Sequence, residues 1–321
     1  MSNTNFTYFY KQKFTSVNDI NVIQYDLFVS TFNNSERVTE VFQSVNSKNK
    51  IWFVLPEYIG HLYTSSNNIK VVEIQYDGYS QIIQFIDSID WINVQKVCID
   101  ITGFIIPHML FFLRCLQKSK RVKQIDVIYS EPKKYINEEN TDFSDYFHEV
   151  VQINGYGGMP SPNMDNDLLI IASGYDDSRI VDVANKKRGA KKIQLFGFPP
   201  LQADMFQENF LKAYRAEAAV GNEGFKNLDL NIYAPANDPF ESAQAICNFI
   251  SKENRCKMIN NIYLAPMSTK PHALGMGLYY MWENPDGEKP ISIIYPLCDR
   301  YFGDTSIGLS RIWIYDIEFP E

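Results

Sequence analysis

A short polar turn follows one of the most apolar runs in the chain. Gly174 allows the backbone to turn closely, and Asp176, Asp177 or Ser178 can cap the helix that the following apolar spacing predicts. Arg179 carries a planar fork that suits a phosphate or carboxylate held at a helix start. The turn therefore predicts an anion-binding loop. The alternative is that the acid and the hydroxyl only cap the helix, while Arg179 pairs with a neighbouring carboxylate.

A second polar turn combines two hydroxyls, a cation and an imidazole. Ser268, Thr269 and Lys270 supply the hydroxyl and ammonium groups that a phosphate or nucleotide contact needs. His272 follows at a predicted helix start, where it could serve as a general acid or base. A structural hydrogen-bond donor is the alternative. If the protein is an enzyme, Lys270, His272 and Asp177 of the first turn are the candidate catalytic groups.

The remaining chemical signatures are few. Asp176 and Asp177 are adjacent carboxylates that could hold a divalent metal beside a phosphate, but no third acid stands at an obvious spacing. The sequence also contains no phosphate loop of the Walker type, no GxGxxG, no nucleophile elbow and no Cys or His pair at zinc spacing. No metal site is predicted, and the sequence identifies no cofactor.

The sequence pattern of the elements that must position these turns occurs twice along the chain. Arg37 stands at the place that matches Arg179, and His108 at the place that matches His272. Five segments recur in one order: 25–42 with 167–184, 50–56 with 192–200, 71–78 with 230–239, 96–108 with 261–272, and 125–135 with 291–301. Apolar strand-like runs alternate with helical spacing in each copy, which is typical of parallel sheets covered on both faces. The sequence therefore predicts an α/β fold of two tandem Rossmann-like units with mostly parallel sheets, related by a pseudo-twofold axis.

The unit boundaries are predicted from composition. Residues 1–146 form the first unit, with a leading extended segment whose strand covers 6–10, and the acidic stretch 136–146 is the best linker. Residues 147–321 form the second unit, with a helical insertion at 202–219 and a terminal strand at 309–319. Ligands of open parallel sheets bind at the carboxyl ends of the strands. Both polar turns, and Arg37 in the first unit, are expected on that rim.

Composition narrows the class of protein. With 321 residues, 45% hydrophobic and 14% aromatic, the chain can bury two cores. The net charge of −8 makes nucleic acid an unlikely main ligand. The five cysteines show no close pairs, which favours buried thiols in a reducing compartment. No apolar stretch is long enough to span a bilayer and the start is not a signal peptide, so a cytoplasmic protein is expected.

The turn GYDDSR after a first strand, the turn STK after a later strand and the doubled unit together resemble CARF domains and their fused pairs, the SAVED domains. The resemblance implies Rossmann-like sensors of cyclic oligonucleotides from prokaryotic antiviral systems. It also implies a ligand across the junction of the halves, contacted mainly by the second half. The first half departs from the pattern, because apolar residues 104–106 follow its Thr102-Gly103. Proteins of this type generally carry an effector domain, for which this chain has no room. It is therefore expected to be a stand-alone sensor, a ligand-degrading enzyme or one subunit of a complex.

Two classes of function follow. The first is a binding module for a nucleotide-type or other phosphorylated small molecule, acting as a sensor or as a subunit of a defence complex through another protein. The second is a hydrolase or transferase acting on such a molecule. A structural subunit without ligand is the third possibility. Arg179→Ala and Lys270→Ala are expected to weaken anion binding.

Overall fold

A computed structural model describes residues 4–58, 69–75, 78–135, 144–203, 205–301 and 305–320. The chain divides into two compact units. We call Phe9–Tyr146 with Cys298–Glu321 the N-terminal unit, and Phe147–Leu297 with Met1–Tyr8 the C-terminal unit.

Strands alternate with helices along most of the chain. The strands are β1 (Lys11–Phe14), β2 (Gln24–Thr31), β3 (Asn46–Val54), β4 (Lys70–Glu73), β5 (Val97–Asp100), β6 (Gln124–Tyr135), β7 (Ser144–Gln152), β8 (Leu168–Ala172), β9 (Lys191–Gly197), β10 (Ile232–Ala234), β11 (Ile262–Pro266), β12 (Ile291–Tyr301) and β13 (Ser306–Glu318). The helices are α1 (Glu36–Ser44), α2 (Tyr79–Asp87), α3 (Ile106–Ser119), α4 (Asp177–Lys186), α5 (Met205–Arg215), α6 (Glu217–Val220), α7 (Glu223–Lys226), α8 (Pro239–Cys256) and α9 (Lys270–Glu283).

The parallel strands of the two sheets follow the same order. The N-terminal sheet is β1-β13-β6-β5-β2-β3-β4, and the C-terminal sheet is β10-β9-β8-β11-β12-β7. Strands β2 to β6 pair in parallel, and so do β8 to β12. Numbered within each unit, both parallel sets have the order 3-2-1-4-5, in which the strand order reverses beside the first strand. The predicted α/β fold of two Rossmann-like units with mostly parallel sheets is confirmed.

The central strands of each sheet are apolar and buried. All five residues of β8 and all five of β11 are buried, as expected for parallel strands covered on both faces. Phe53 on β3 packs against Phe85, Phe104 and Phe112, with ring centroids 5.0, 5.9 and 5.5 Å away. Gly275 lets α9 approach α8 closely, because a Cβ there would lie 2.5 Å from the carbonyl oxygen of Pro239.

The two ends of the chain belong to other units than the sequence predicted. The terminal strand β13 pairs antiparallel with β6 and β1 of the N-terminal sheet, whereas the sequence placed it in the second unit. Buried Glu131 on β6 accepts hydrogen bonds from Trp313 Nε1 (2.6 Å) and Arg311 Nη1 (3.2 Å), so side chains fix this pairing. Periodicity reveals a strand but not the edge on which it docks.

The leading segment is also corrected. Residues Phe6–Tyr8 form a 3-10 helix, and the first strand begins only at Lys11. Buried Phe6 donates its backbone N–H to Gln244 Oε1 at 2.9 Å, so a tertiary contact with α8 overrides the local pattern. The predicted linker 136–146 lies outside the described residues except for 144–146, which begin β7. The predicted insertion at 202–219 contains α5 and α6, interrupted at Ala216.

Candidate functional site

The two polar turns of the C-terminal unit lie against each other at the carboxyl ends of β8 and β11. A Cβ at Gly174 would lie 2.0 Å from the carbonyl oxygen of Met267, so only glycine permits this approach. Strand order reverses between β8 and β11, which is where the fold places ligands. The structure thus brings together the loops that the sequence singled out.

The polar side chains of the first turn bond to one another. Asp176 caps α4 by accepting the backbone N–H of Arg179 at 3.2 Å, and it accepts the hydroxyl of Ser178 at 2.6 Å. The Arg179 guanidinium lies 2.9 Å from the same carboxylate. Asp177 is the first helical residue. This geometry corresponds to the alternative in which the acid caps the helix and the arginine pairs with it.

The second turn is also tied to the protein. Thr269 caps α9 by accepting the backbone N–H of His272 at 3.3 Å, and its own hydroxyl donates to Ala236 O at 2.6 Å. Pro271 has no N–H to offer. Lys270, the first residue of α9, is half-buried. The start of α9 is therefore not a cradle of open backbone amides, and a ligand there would be held by side chains.

His272 is fully buried and both of its ring nitrogens have partners. Nε2 lies 3.1 Å from Pro235 O and 3.3 Å from Ala234 O, and Nδ1 lies 3.2 Å from Ser268 Oγ. Carbonyl oxygens only accept, so Nε2 carries the proton and Nδ1 accepts from the serine. Burial lowers the pKa of His272 to about 4, against the weaker raising effect of the two carbonyls. A neutral imidazole that joins α9 to the end of β10 matches the structural alternative.

The rim of the N-terminal unit differs sharply at the start of α1. Ser35 stands at the N-cap position, but its side chain makes no capping hydrogen bond. Its Oγ is buried without a hydrogen-bond partner, and so are Thr31 Oγ1, Ser130 Oγ and Arg37 Nε. Arg37 Nη1 donates to Ser130 O at 2.9 Å, which draws α1 to β6. Four buried groups that can donate hydrogen bonds are therefore without a partner, three on residues 31–37 and one on β6.

A buried carboxylate holds this rim in place. Asp100 at the end of β5 accepts Ser30 Oγ at 2.9 Å and the backbone N–H of Thr102 at 2.9 Å. Thr102 Oγ1 in turn accepts the backbone N–H of Ser130 at 3.0 Å. This chain of hydrogen bonds crosses from β2 to β6, so it fixes the positions of the residues around α1.

A second polar group on the same unit is the pair Glu57 and His108. His108 Nε2 lies 3.8 Å from Glu57 Oε1, which is within ion-pair range but too long for a hydrogen bond. Burial raises the pKa of the Glu57 carboxyl and lowers that of His108 to about 4, so both groups are driven towards their neutral forms. These opposite shifts weigh against a persistent ion pair. Glu57 Oε2 and His108 Nδ1 are buried without hydrogen-bond partners.

Sequence reasoning included Arg37 but missed the partners around it. Thr31, Ser35, Ser130 and Glu57 are ordinary residue types without a recognisable spacing. The available signal was the repeat, since Arg37 and His108 match Arg179 and His272 while the residues around them differ.

Within the described residues, no group of three or more His, Cys, Asp or Glu side chains could hold a metal ion. No helix in the described part of the chain is both long and apolar enough to cross a membrane.

Comparison with known proteins gave only remote structural similarity. No protein-family model and no curated protein matches the chain. The solved structure of CobK precorrin-6A reductase is similar at 8% identity and a TM-score of 0.25, over 85% of this chain and 89% of that one. A universal stress protein from Pseudomonas aeruginosa UCBPP-PA14, described as putative in its structure, is similar at 9% identity and a TM-score of 0.24, over 88% and 96% of the two chains.

Proposed function

We propose that this protein binds a small phosphorylated or nucleotide-type anion at the strand carboxyl ends of its N-terminal unit. The observation that carries the proposal is a set of four buried groups without partners, on the segment that leads into α1 and on β6, which Arg37 reaches: Thr31 Oγ1, Ser35 Oγ, Arg37 Nε and Ser130 Oγ. Burying such groups unpaired costs about 1–3 kcal/mol each, so an anion that accepts from them would recover much of that cost. The helix start adds a favourable partial positive charge.

The contrast between the two units supports this choice. In the C-terminal unit the helices α4, α8 and α9 are each capped by a side chain, from Asp176, Asp238 and Thr269. In the N-terminal unit the matching helices α1, α2 and α3 have no side-chain cap. Side chains therefore cap the three helix starts of the C-terminal unit, whereas no side chain caps those of the N-terminal unit.

Binding rather than catalysis is the favoured activity, because His272, the imidazole that the sequence offered as a general acid or base, is fully used in structural hydrogen bonds. The resemblance to CARF and SAVED domains favours a sensing role, exercised through another protein of a defence complex.

The repeat offers a matched pair of variants for the test. Arg37→Ala is expected to weaken binding of inorganic phosphate, pyrophosphate or AMP about tenfold or more, which corresponds to the loss of one charged hydrogen bond. Arg179→Ala, at the matching position, is expected to change affinity less than about twofold, because its guanidinium is paired with Asp176. Isothermal titration calorimetry on the full chain measures both.

Ser35→Ala is the second variant, since removal of Arg37 also removes a hydrogen bond to β6. Binding that is lost in Arg179→Ala and kept in Arg37→Ala and Ser35→Ala would move the site to the C-terminal rim, as the sequence alone predicted. Absence of binding to all three probes at millimolar concentration would overturn the proposal.

A further inference from the structure

Cationic side chains gather at the amino ends of β8, β9 and β11, at the opposite end of the C-terminal sheet from its polar turns. Residues 186–192, which join α4 to β9, contain five Lys and Arg side chains and no carboxylate. Residues 252–258 end α8 and lead towards β11, and they contain three more cations and Glu253. These strands are parallel neighbours, so both segments lie at the same end of the sheet. We call these two segments, with the adjoining residues 163–167, the basic surface.

Direct contacts join the segments of the basic surface. Lys191 Nζ lies 2.5 Å from Glu253 Oε2. Lys191 also donates its backbone N–H to Asp167 O at 2.8 Å, and Asn166 Nδ2 donates to Met258 O at 2.6 Å. Residues that stand 62 positions apart in the chain therefore contribute to one surface.

Most cations of the basic surface have no acidic partner. Among the eight, Lys191 alone forms an ion pair with a residue that the structure describes. Six of the eight are exposed, and Lys187 and Lys192 are half-buried. The whole chain has a net charge of −8, yet these segments contain eight cations against three carboxylates, one of them the buried Asp167. Because like charges gathered in this way repel one another, the surface is suited to a partner that carries many negative charges.

The other side chains of the basic surface indicate which polyanion fits it. The surface contains no aromatic residue, and the neighbouring Tyr263 is buried beneath Lys187, whose Nζ lies 3.6 Å from the ring centroid. Single-stranded nucleic acids are bound by stacking bases on aromatic rings, and membrane surfaces are anchored by Trp, Phe or Leu. The phosphates of a double helix need only cations and polar donors. Met164 and Met258 are exposed, so a bilayer is the alternative that the experiment must exclude.

We infer that the basic surface binds a nucleic-acid double helix through its phosphates, without reading its sequence. The net charge of the whole chain weighs against nucleic acid as the main ligand, but it does not describe this end of the C-terminal sheet. The inference is independent of the anion site on the N-terminal unit, because the two use different residues.

Fluorescence anisotropy of short labelled DNA and RNA duplexes, titrated with the full chain at several salt concentrations, tests the inference. If half of the eight cations meet phosphates, the logarithm of the association constant falls with that of the salt concentration with a slope of about −3.6. The affinity should then fall about 150-fold between about 50 and 200 mM salt. The duplex that binds more tightly identifies the double helix as DNA or RNA.

Arg188→Ala combined with Arg255→Ala removes one exposed cation from each segment, so the salt slope should become shallower by about two. Arg215→Ala combined with Lys226→Ala is the matched control, because it removes the same charge at exposed positions of the same unit outside the basic surface. The control variant and Arg37→Ala should both keep the slope of the parent.

Four results would overturn the inference. They are the absence of duplex binding at low salt, an equal slope in the parent and in the Arg188 and Arg255 double variant, an equal loss of slope in the control, and tighter binding of single-stranded oligothymidylate than of either duplex. Vesicles of phosphatidylserine and phosphatidylcholine form the last arm. Binding to these vesicles without binding to a duplex would assign the basic surface to a membrane instead.

Discussion

Lowering the pH from 7 to 4.5 is expected to destabilise the C-terminal unit by about 2.5 kcal/mol through His272 alone. The pKa of His272 lies near 4 in the folded chain because the ring is fully desolvated, against an ordinary value of 6.5. A folded pKa below the unfolded value means that unfolding takes up a proton. The stabilisation is therefore fully present above pH 6.5 and is lost as the pH falls towards 4.

Hydrogen exchange of the C-terminal unit, followed by mass spectrometry across this pH range and corrected for intrinsic exchange, measures the effect. His272→Gln keeps a donor for the carbonyls at the end of β10 but does not titrate, so its stability should depend less steeply on pH. The range stops at 4.5 because carboxyl groups of ordinary pKa take up protons below it. If the stability of the parent and that of the variant depended on pH equally, folding would not lower the pKa of the His272 ring.

The N-terminal unit should respond less to the same change in pH. Burial lowers the pKa of His108 to about 4, but it raises the pKa of the neighbouring Glu57. A raised carboxyl pKa contributes stability at low pH that is lost as the pH rises, so the two terms oppose each other. The difference between the units is thus a second, independent consequence of their different histidine environments.

The fold was predictable because its signals are local and repeated. Apolar runs of five residues between turn residues, such as β8 and β11, favour buried strands, and five matched segments imply that both units share one strand order. The position of β13 was not predictable. Its alternation identifies a strand, but its pairing with β6 depends on Glu131 receiving Trp313 and Arg311 from a distant part of the chain.

The site was less predictable, because polar residues in a turn have the same appearance whether they bind one another or a ligand. Asp176, Ser178 and Arg179 have the composition of an anion loop, yet in the structure they are bonded to one another. Ser35 and Arg37 look less distinctive, yet Ser35 Oγ and Arg37 Nε have no partner. Satisfaction of hydrogen bonds is a property of three-dimensional arrangement, and one sequence does not reveal it.

The two units differ in how their helix starts are capped, although their parallel strands have the same order. The side chains of Asp176 and Thr269 cap α4 and α9, whereas no side chain caps α1. The C-terminal rim is therefore an internal control for the site that we propose on the N-terminal rim.

Each rim contains a glycine that lies directly against a backbone carbonyl oxygen, and substituting either glycine should strongly reduce stability. Gly103→Ala would place a Cβ 2.2 Å from Thr31 O, and Gly174→Ala would place one 2.0 Å from Met267 O. Backbone carbonyls cannot move aside as a flexible side chain can, so the strand ends must separate. We expect each variant to lose about 3 kcal/mol, the upper end of overpacking costs, measured by urea denaturation with hydrogen exchange to assign the loss to its unit.

Gly189→Ala is the matched control, because a Cβ there meets no heavy atom within 4 Å and the backbone needs no left-handed conformation. That change should be neutral or slightly stabilising, by about 0.4–1 kcal/mol, through the unfolded state. Gly103→Ala should also lower phosphate affinity, since it displaces Thr31 and the segment that leads to Ser35, whereas Gly174→Ala should not. If Gly174→Ala abolished phosphate binding while Gly103→Ala preserved it, the open donors around α1 would have no role in recognition, and the ligand would belong to the rim that the structure shows closed.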